Sequence, residues 1–180
     1  MWISMIAGVA HATPIGCDVT VDKESYDFLL LRAEQAIGML DAEELGESTD
    51  RARALAACLE VELTPTEVAR LYRLSGIARY VNDDLVEAVK DFAVARALDP
   101  SAAIDPQLGK PLRQTYDAVP PSSGERVPLP RPEEGWLVVD GTRDDQAPAD
   151  RGYLLQWVRD DGLPHATYLV EKGQIPTYPT

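Results

Sequence analysis

The stretch ARLYRLSGIARYVNDDLVEAVKDFAVARALDP, Ala69 to Pro100, dictates two helices folded back on each other. It is preceded by Thr64-Pro65-Thr66-Glu67, a helix start. Thr64 caps, Pro65 takes the first helical position, where its missing N–H is no loss, and Glu67 reaches back to the cap. The first helix is predicted to run to about Val81. Asn82-Asp83-Asp84 makes a tight turn. In the second helix Leu85, Ala88, Val89, Phe92, Ala95, Ala97 and Leu98 are expected to face inward. Asp99-Pro100 ends it, because the residue before a proline avoids helical angles. Gly76 and Ala88 are small where the helices cross, which lets the backbones approach closely.

One hairpin cannot bury its own apolar face, so neighbours must exist. Upstream, Tyr26, Leu30, Ala33, Ile37 and Leu40 are spaced 4, 3, 4 and 3, one face of a helix predicted from Lys23 to about Leu45 with Gly46 as its stop. Ser48, Thr49 and Asp50 offer N-caps for a second helix, with Leu55, Cys58 and Leu59 on its apolar face and an end near Glu62. Downstream, Leu108, Leu112 and Tyr116 recur every fourth residue and suit a capping helix that Pro111 starts or kinks.

The Ala69–Pro100 stretch resembles a tetratricopeptide repeat (TPR). Counting from Ala69, Tyr72 takes the first aromatic position and Gly76 the glycine of the first helix. Ala88, Phe92 and Ala95 take the small-large-small set of the second, and Pro100 the closing proline. Two positions depart: Ser75 stands where a large apolar residue is usual, and the following aromatic is shifted to Tyr80. Ala54, Cys58 and Val61 fall on the same register one unit earlier, so the first two helices resemble a degenerate repeat. A plain helical bundle is the alternative.

After Ala118 the texture changes. Residues 119–134 read as a proline-rich linker or strand lead-in, with five prolines and no helical period. GWLVVDG, GYLLQWV and ATYLVEKG then read as three strands, with Trp136, Val138 and Asp140 on one face of the first and RDDGLPH as a turn. The fold class is therefore α+β: about five TPR-like helices over 18–118, the linker over 119–134, and a small antiparallel β-module over 135–180. So thin a module is expected to pack on the helices or to fold only with a partner.

Residues 1–12 read as a signal peptide. An apolar run from Trp2 to Val9 is followed by Ala10-His11-Ala12, with small residues three and one before the expected cut, although no Lys or Arg precedes it. An apolar helix packed on the body is the other reading. The run is too short for a stable membrane span. With export, Cys17 and Cys58 are a disulfide candidate; two unrelated thiols, or a lipid anchor on Cys17, are the alternatives. A leader, TPR-like helices, a proline-rich stretch and a small module in this order resemble exported helical-repeat proteins of Gram-negative bacteria. That resemblance implies a periplasmic or secreted location, with the cytoplasm the alternative if the N-terminal run is not a leader.

The net charge of −13 argues against a nucleic-acid partner. No catalytic set stands out: His165 sits alone in a predicted turn, and no phosphate-binding glycine loop or zinc-ligand spacing is present. Asp140 to Asp145 (DGTRDD) lacks the alternating spacing that wraps calcium. No metal, cofactor or enzymatic activity is expected. The residues that look arranged are Arg70, Arg73, Ile77 and Tyr80, spaced 3, 4 and 3 on one face of a helix that lines the groove in TPR folds. They could hold an acidic or C-terminal peptide by charge-assisted bonds, or simply balance neighbouring acids. The function expected is a non-enzymatic interaction or scaffold protein of the envelope. The alternatives are a structural subunit that pairs through the β-module, and a small hydrolase or sugar-binding domain around His165 and Trp136. Partner identity and oligomeric state are left open.

Overall fold

The computed structural model describes residues 11–12 and 21–177. Five helices come first: α1 (Lys23–Met39), α2 (Ala42–Ala56), α3 (Pro65–Val81), α4 (Leu85–Leu98) and α5 (Lys110–Ala118). An antiparallel β region follows, so the fold is α+β as expected.

The predicted α3–α4 hairpin is present in detail. Thr64 and Glu67 form the reciprocal capping box with Pro65 in the first turn, and Asp84 caps α4 after a turn in which Asp83 is left-handed. A Cβ on Gly76 would lie 2.4 Å from the Phe92 ring, so the glycine is what allows the two helices to close. Phe92 in turn meets the edge of the Tyr116 ring, at 5.2 Å between centroids, which docks α5. Ala88, Phe92 and Ala95 are buried, but Leu85 and Val89 are 51% and 39% exposed. Asp91 and Val94 take the inward places expected of them.

The first two helices divide elsewhere than predicted. Leu40 is left-handed and 68% exposed, and Asp41 accepts from the Glu44 N–H to start α2. An aspartate cap followed by Glu43 and Glu44 at the positive helix end outweighs the periodicity that ran on through Leu40. Gly46 therefore lies inside α2 beside Asn82 and stops nothing. Ser48 and Thr49 are buried in mid-helix, their hydroxyls turned to Glu44 and to the Leu45 carbonyl. Cys58 and Leu59 lie beyond the helix end, where Val21 bridges to Leu59.

The stretch read as linker folds onto the β region. Arg126–Pro128 (β2) pairs antiparallel with Gln146–Pro148 (β5), and Leu129 is buried. A four-stranded antiparallel sheet is ordered β4 (Thr142–Arg143), β3 (Trp136–Val139), β6 (Tyr153–Val158), β7 (Pro164–Val170). Leu137, Val139, Tyr153, Leu155, Trp157 and Tyr168 form one face and share a core with Ala147 of the smaller sheet and with Leu129 just beyond β2. On the other face Leu154 belongs to the helical core and Leu169 packs against it. Every residue of β6 is buried, because the strand has the small sheet on one side and helices on the other. His11–Ala12 (β1) lies parallel to Ile175–Pro176 (β8). No helix among the described residues is long and apolar enough to cross a membrane.

Candidate functional site

The sheet is seated on the helices by three contacts. Gln156, fully buried in β6, accepts from the Leu63 N–H at 2.7 Å and donates to the Val61 carbonyl at 3.2 Å. Trp136 donates to Glu62 at 3.2 Å. The turn Asp140-Gly141, both residues at positive φ, lies so close to the start of α3 that a Cβ on Gly141 would sit 2.3 Å from the Thr64 carbonyl carbon. All three use the α2–α3 connection.

Beside this joint the helices and the sheet leave a cleft with a volume of about 470 Å³. Its helical wall includes Arg53 of α2, Tyr72 and Arg79 of α3, and Asp91 and Val94 of α4. Its opposite wall comes from Asp150 to Gly152 ahead of β6 and from Leu169 to Lys172 at the end of β7. Asp91 is buried between two arginines: Arg53 Nη1 lies 3.5 Å from one carboxylate oxygen and Arg79 Nη1 3.3 Å from the other. Ser75 donates to the same carboxylate at 2.5 Å, and Arg53 Nη1 also reaches the Ser75 hydroxyl at 3.1 Å. The Arg53 guanidinium stands over the Tyr72 ring at 5.4 Å. Nearer the rim, Arg79 and Lys90 both engage Glu87.

A second buried pair closes the far side. Arg151 Nη1 lies 2.7 Å from Asp140, whose other oxygen accepts from the Leu154 N–H at 2.9 Å. Burial pushes the Asp140 carboxyl up from its ordinary value, with Arg151 opposing. Burial likewise pushes Asp91 up, against Arg53, Ser75 and Arg79. Removing one partner from such a pair leaves an uncompensated buried charge, so both arrangements are rigid parts of the wall.

The residues singled out by spacing lie on a different face of α3. Arg70 is spent on Glu34, with Nε and Nη2 at 2.8 and 2.7 Å from its two oxygens. Arg73 lies near Asp99 and Tyr116. Ile77 is in the helical core, and Tyr80 packs half-buried against that core. Of the four, Arg70 is thus engaged by Glu34 and Ile77 is buried. His165 is in β7 rather than in a turn, its ring at 4.5 Å from that of Trp157. The acids of DGTRDD are held by arginines: Asp140 by Arg151, Asp144 by Arg126 and Asp145 by Arg131. Cys58 is disulfide-bonded; Cys17 and most of the proposed leader lie outside the described residues.

Periodicity did not point to Arg53, Arg79, Asp91 or Arg151. One signal was present: Asp91 sits one turn after Ala88 on the inward face of α4, and Ser75, the departure from the repeat pattern, is its partner. Comparisons with protein-family models, curated proteins and solved structures gave no significant match.

Proposed function

We propose that the chain is a non-enzymatic interaction protein of the bacterial cell envelope, in which TPR-like hairpins and a small β-module together bind a peptide or protein partner. The observation that carries this reading is the cleft between α4 and the end of β7. It is concave, has a charged floor fixed by buried partners, and has walls that include Val89, Val94 and Leu169. Concave sites that mix apolar walls with a few fixed polar groups are where ligands bind. The cleft is favoured over the Arg70–Tyr80 face, where Arg70 is occupied and Ile77 is in the core.

The apolar N-terminal run and the disulfide at Cys58 support a periplasmic or secreted location. Removal of residues 1–12 would strip β1 from β8 and leave both described hydrophobic clusters intact. The alternative is a structural subunit pairing through the β-module; β4 with two residues and β2 with three are poor templates for strand addition, so such pairing would use β7, the seven-residue edge of the four-stranded sheet.

A photoreactive phenylalanine analogue at Val89, at the cleft, and another at Tyr80, outside it, test the reading in an envelope extract of the source organism. The expected result is one reproducible protein adduct from Val89, absent when Arg79→Glu is added, and no adduct from Tyr80. A partner captured only through Tyr80 would move the site to the groove face. No adduct from either position would count against a partner-binding role.

A further inference from the structure

We infer that the cleft receives the free C-terminal end of a partner polypeptide, its terminal carboxylate on Arg53 and Arg79 and its last, apolar side chain on Val89 and Leu169. The inference rests on the interaction reading and adds the chemistry of what is bound. Arg53 and Arg79 each spend a single nitrogen, Nη1, on the buried Asp91 and its neighbours Ser75 and Glu87. The remaining N–H donors of both have no acceptor among the described residues. Their side chains are 17% and 29% exposed, and both residues line the cleft. The Tyr72 ring and Asp91 fix the guanidinium planes before anything binds, which lowers the ordering cost of capture.

A third cation adds an unmet donor. The Arg151 side chain is 9% exposed, uses Nη1 on Asp140 and on the Gly152 carbonyl, and leaves Nε buried without an acceptor. Lys172, on the same wall, makes no ion pair with a described residue. Arg53, Arg79, Lys90, Arg151 and Lys172 thus bring five of the 17 basic residues of a strongly acidic chain to one cleft.

The charge balance selects a monoanion. Arg53, Arg79 and Lys90 share the Asp91 and Glu87 carboxylates, which leaves a single positive charge, while Asp150 and Glu171 stand around it. A phosphate dianion would meet those acids with a second, unneeded charge. The placement of the apolar wall selects a chain end. Val89, 39% exposed, and the half-buried Leu169 line the same cleft as the cations, so an apolar surface stands beside them. In a C-terminal residue the carboxylate and the side chain leave the same Cα and can meet both at once. In an extended segment with an internal Asp or Glu, the neighbouring side chain points to the opposite face. A volume of about 470 Å³ suits a few residues of such an end.

The test uses the ¹⁵N- and methyl-labelled full chain and three pools of N-acetyl tetrapeptides. One pool ends in Val, Leu or Ile with a free carboxylate, the second is the same pool amidated, and the third is amidated with an internal Glu. The first pool is expected to shift the Arg53 and Arg79 Nε–H resonances and the methyls of Val89 and Leu169. Amidation should weaken this about tenfold or more, as loss of charge-assisted bonds predicts. Lys172→Gln, which leaves the Asp91 cluster untouched, should weaken it several-fold, and Arg53→Gln more. Equal response to the amidated pool, preference for internal Glu, or no response to any pool would overturn the inference. Shifts that appear on raising protein concentration alone would assign the cleft to a second copy of the chain and overturn it too. A Val89 adduct with no response to carboxylate would leave the interaction reading standing without this one.

Discussion

Asp91 shows how one residue can be at odds with its helix and still be required. It occupies an inward position between Ala88 and Val94, where an apolar residue would be cheaper, and it is tolerated because Ser75, Arg53 and Arg79 surround it. Burial holds its carboxyl above the ordinary range. The native state therefore keeps this proton to a higher pH than the unfolded chain does, and stability from this group falls as pH rises through the raised value. The difference in melting temperature between the natural chain and Asp91→Asn should accordingly shrink as the pH is raised from about 4. A difference that widens with pH would mean that the arginines, and not burial, dominate. Ser75 was visible in the sequence as a misfit in the repeat pattern. Its meaning was not, because the partner that explains it lies 16 residues away on another helix.

At the scale of elements, legibility followed local chemistry. The α3–α4 hairpin was readable to its ends because a capping box, a tight turn and Asp-Pro are written in consecutive residues. The break after Met39 was missed because Leu40 continues the apolar spacing while its backbone turns left-handed, and only the Asp41 cap marks the boundary. The strand at Arg126–Pro128 was hidden by prolines, which an edge strand tolerates. Gly76 is the element-level feature most open to test. Alanine there gains about 1 kcal/mol in helix propensity, but its Cβ must enter space held by the Phe92 ring. Overpacking of this kind costs about 1–3 kcal/mol, and the ring is fixed by Tyr116, so, net of that gain, Gly76→Ala should lower stability by about 1 kcal/mol. Urea unfolding should show a lower midpoint with an unchanged slope, partly restored by Phe92→Leu in the same chain. An unchanged midpoint would mean that the helices do not cross at this point.

For the whole molecule, the composition change after Ala118 suggested two parts, and the structure joins them. Leu154 lies in the helical core and Gln156 closes two hydrogen bonds with the α2–α3 connection. That so thin a module packs on the helices was expected, but these contacts were not legible, since a glutamine among the apolar residues of GYLLQWV shows only that a polar group must be satisfied somewhere. Helices and sheet should consequently unfold together. Far-UV circular dichroism, which follows the helices, and the fluorescence of Trp136 and Trp157, which follows the sheet, are expected to give coincident urea transitions. A separate, earlier fluorescence transition would show that the module opens by itself. Gln156 has one more consequence. Sliding β6 by one residue turns the amide onto the wrong face; sliding it by two keeps the face but carries the amide past the Leu63 N–H and the Val61 carbonyl that meet it. Each misplacement strands a buried amide, and with it the Leu63 N–H. A single side chain in the middle of the sheet thus acts as a proofreader of assembly, rejecting near-fits that hydrophobic contact alone would accept.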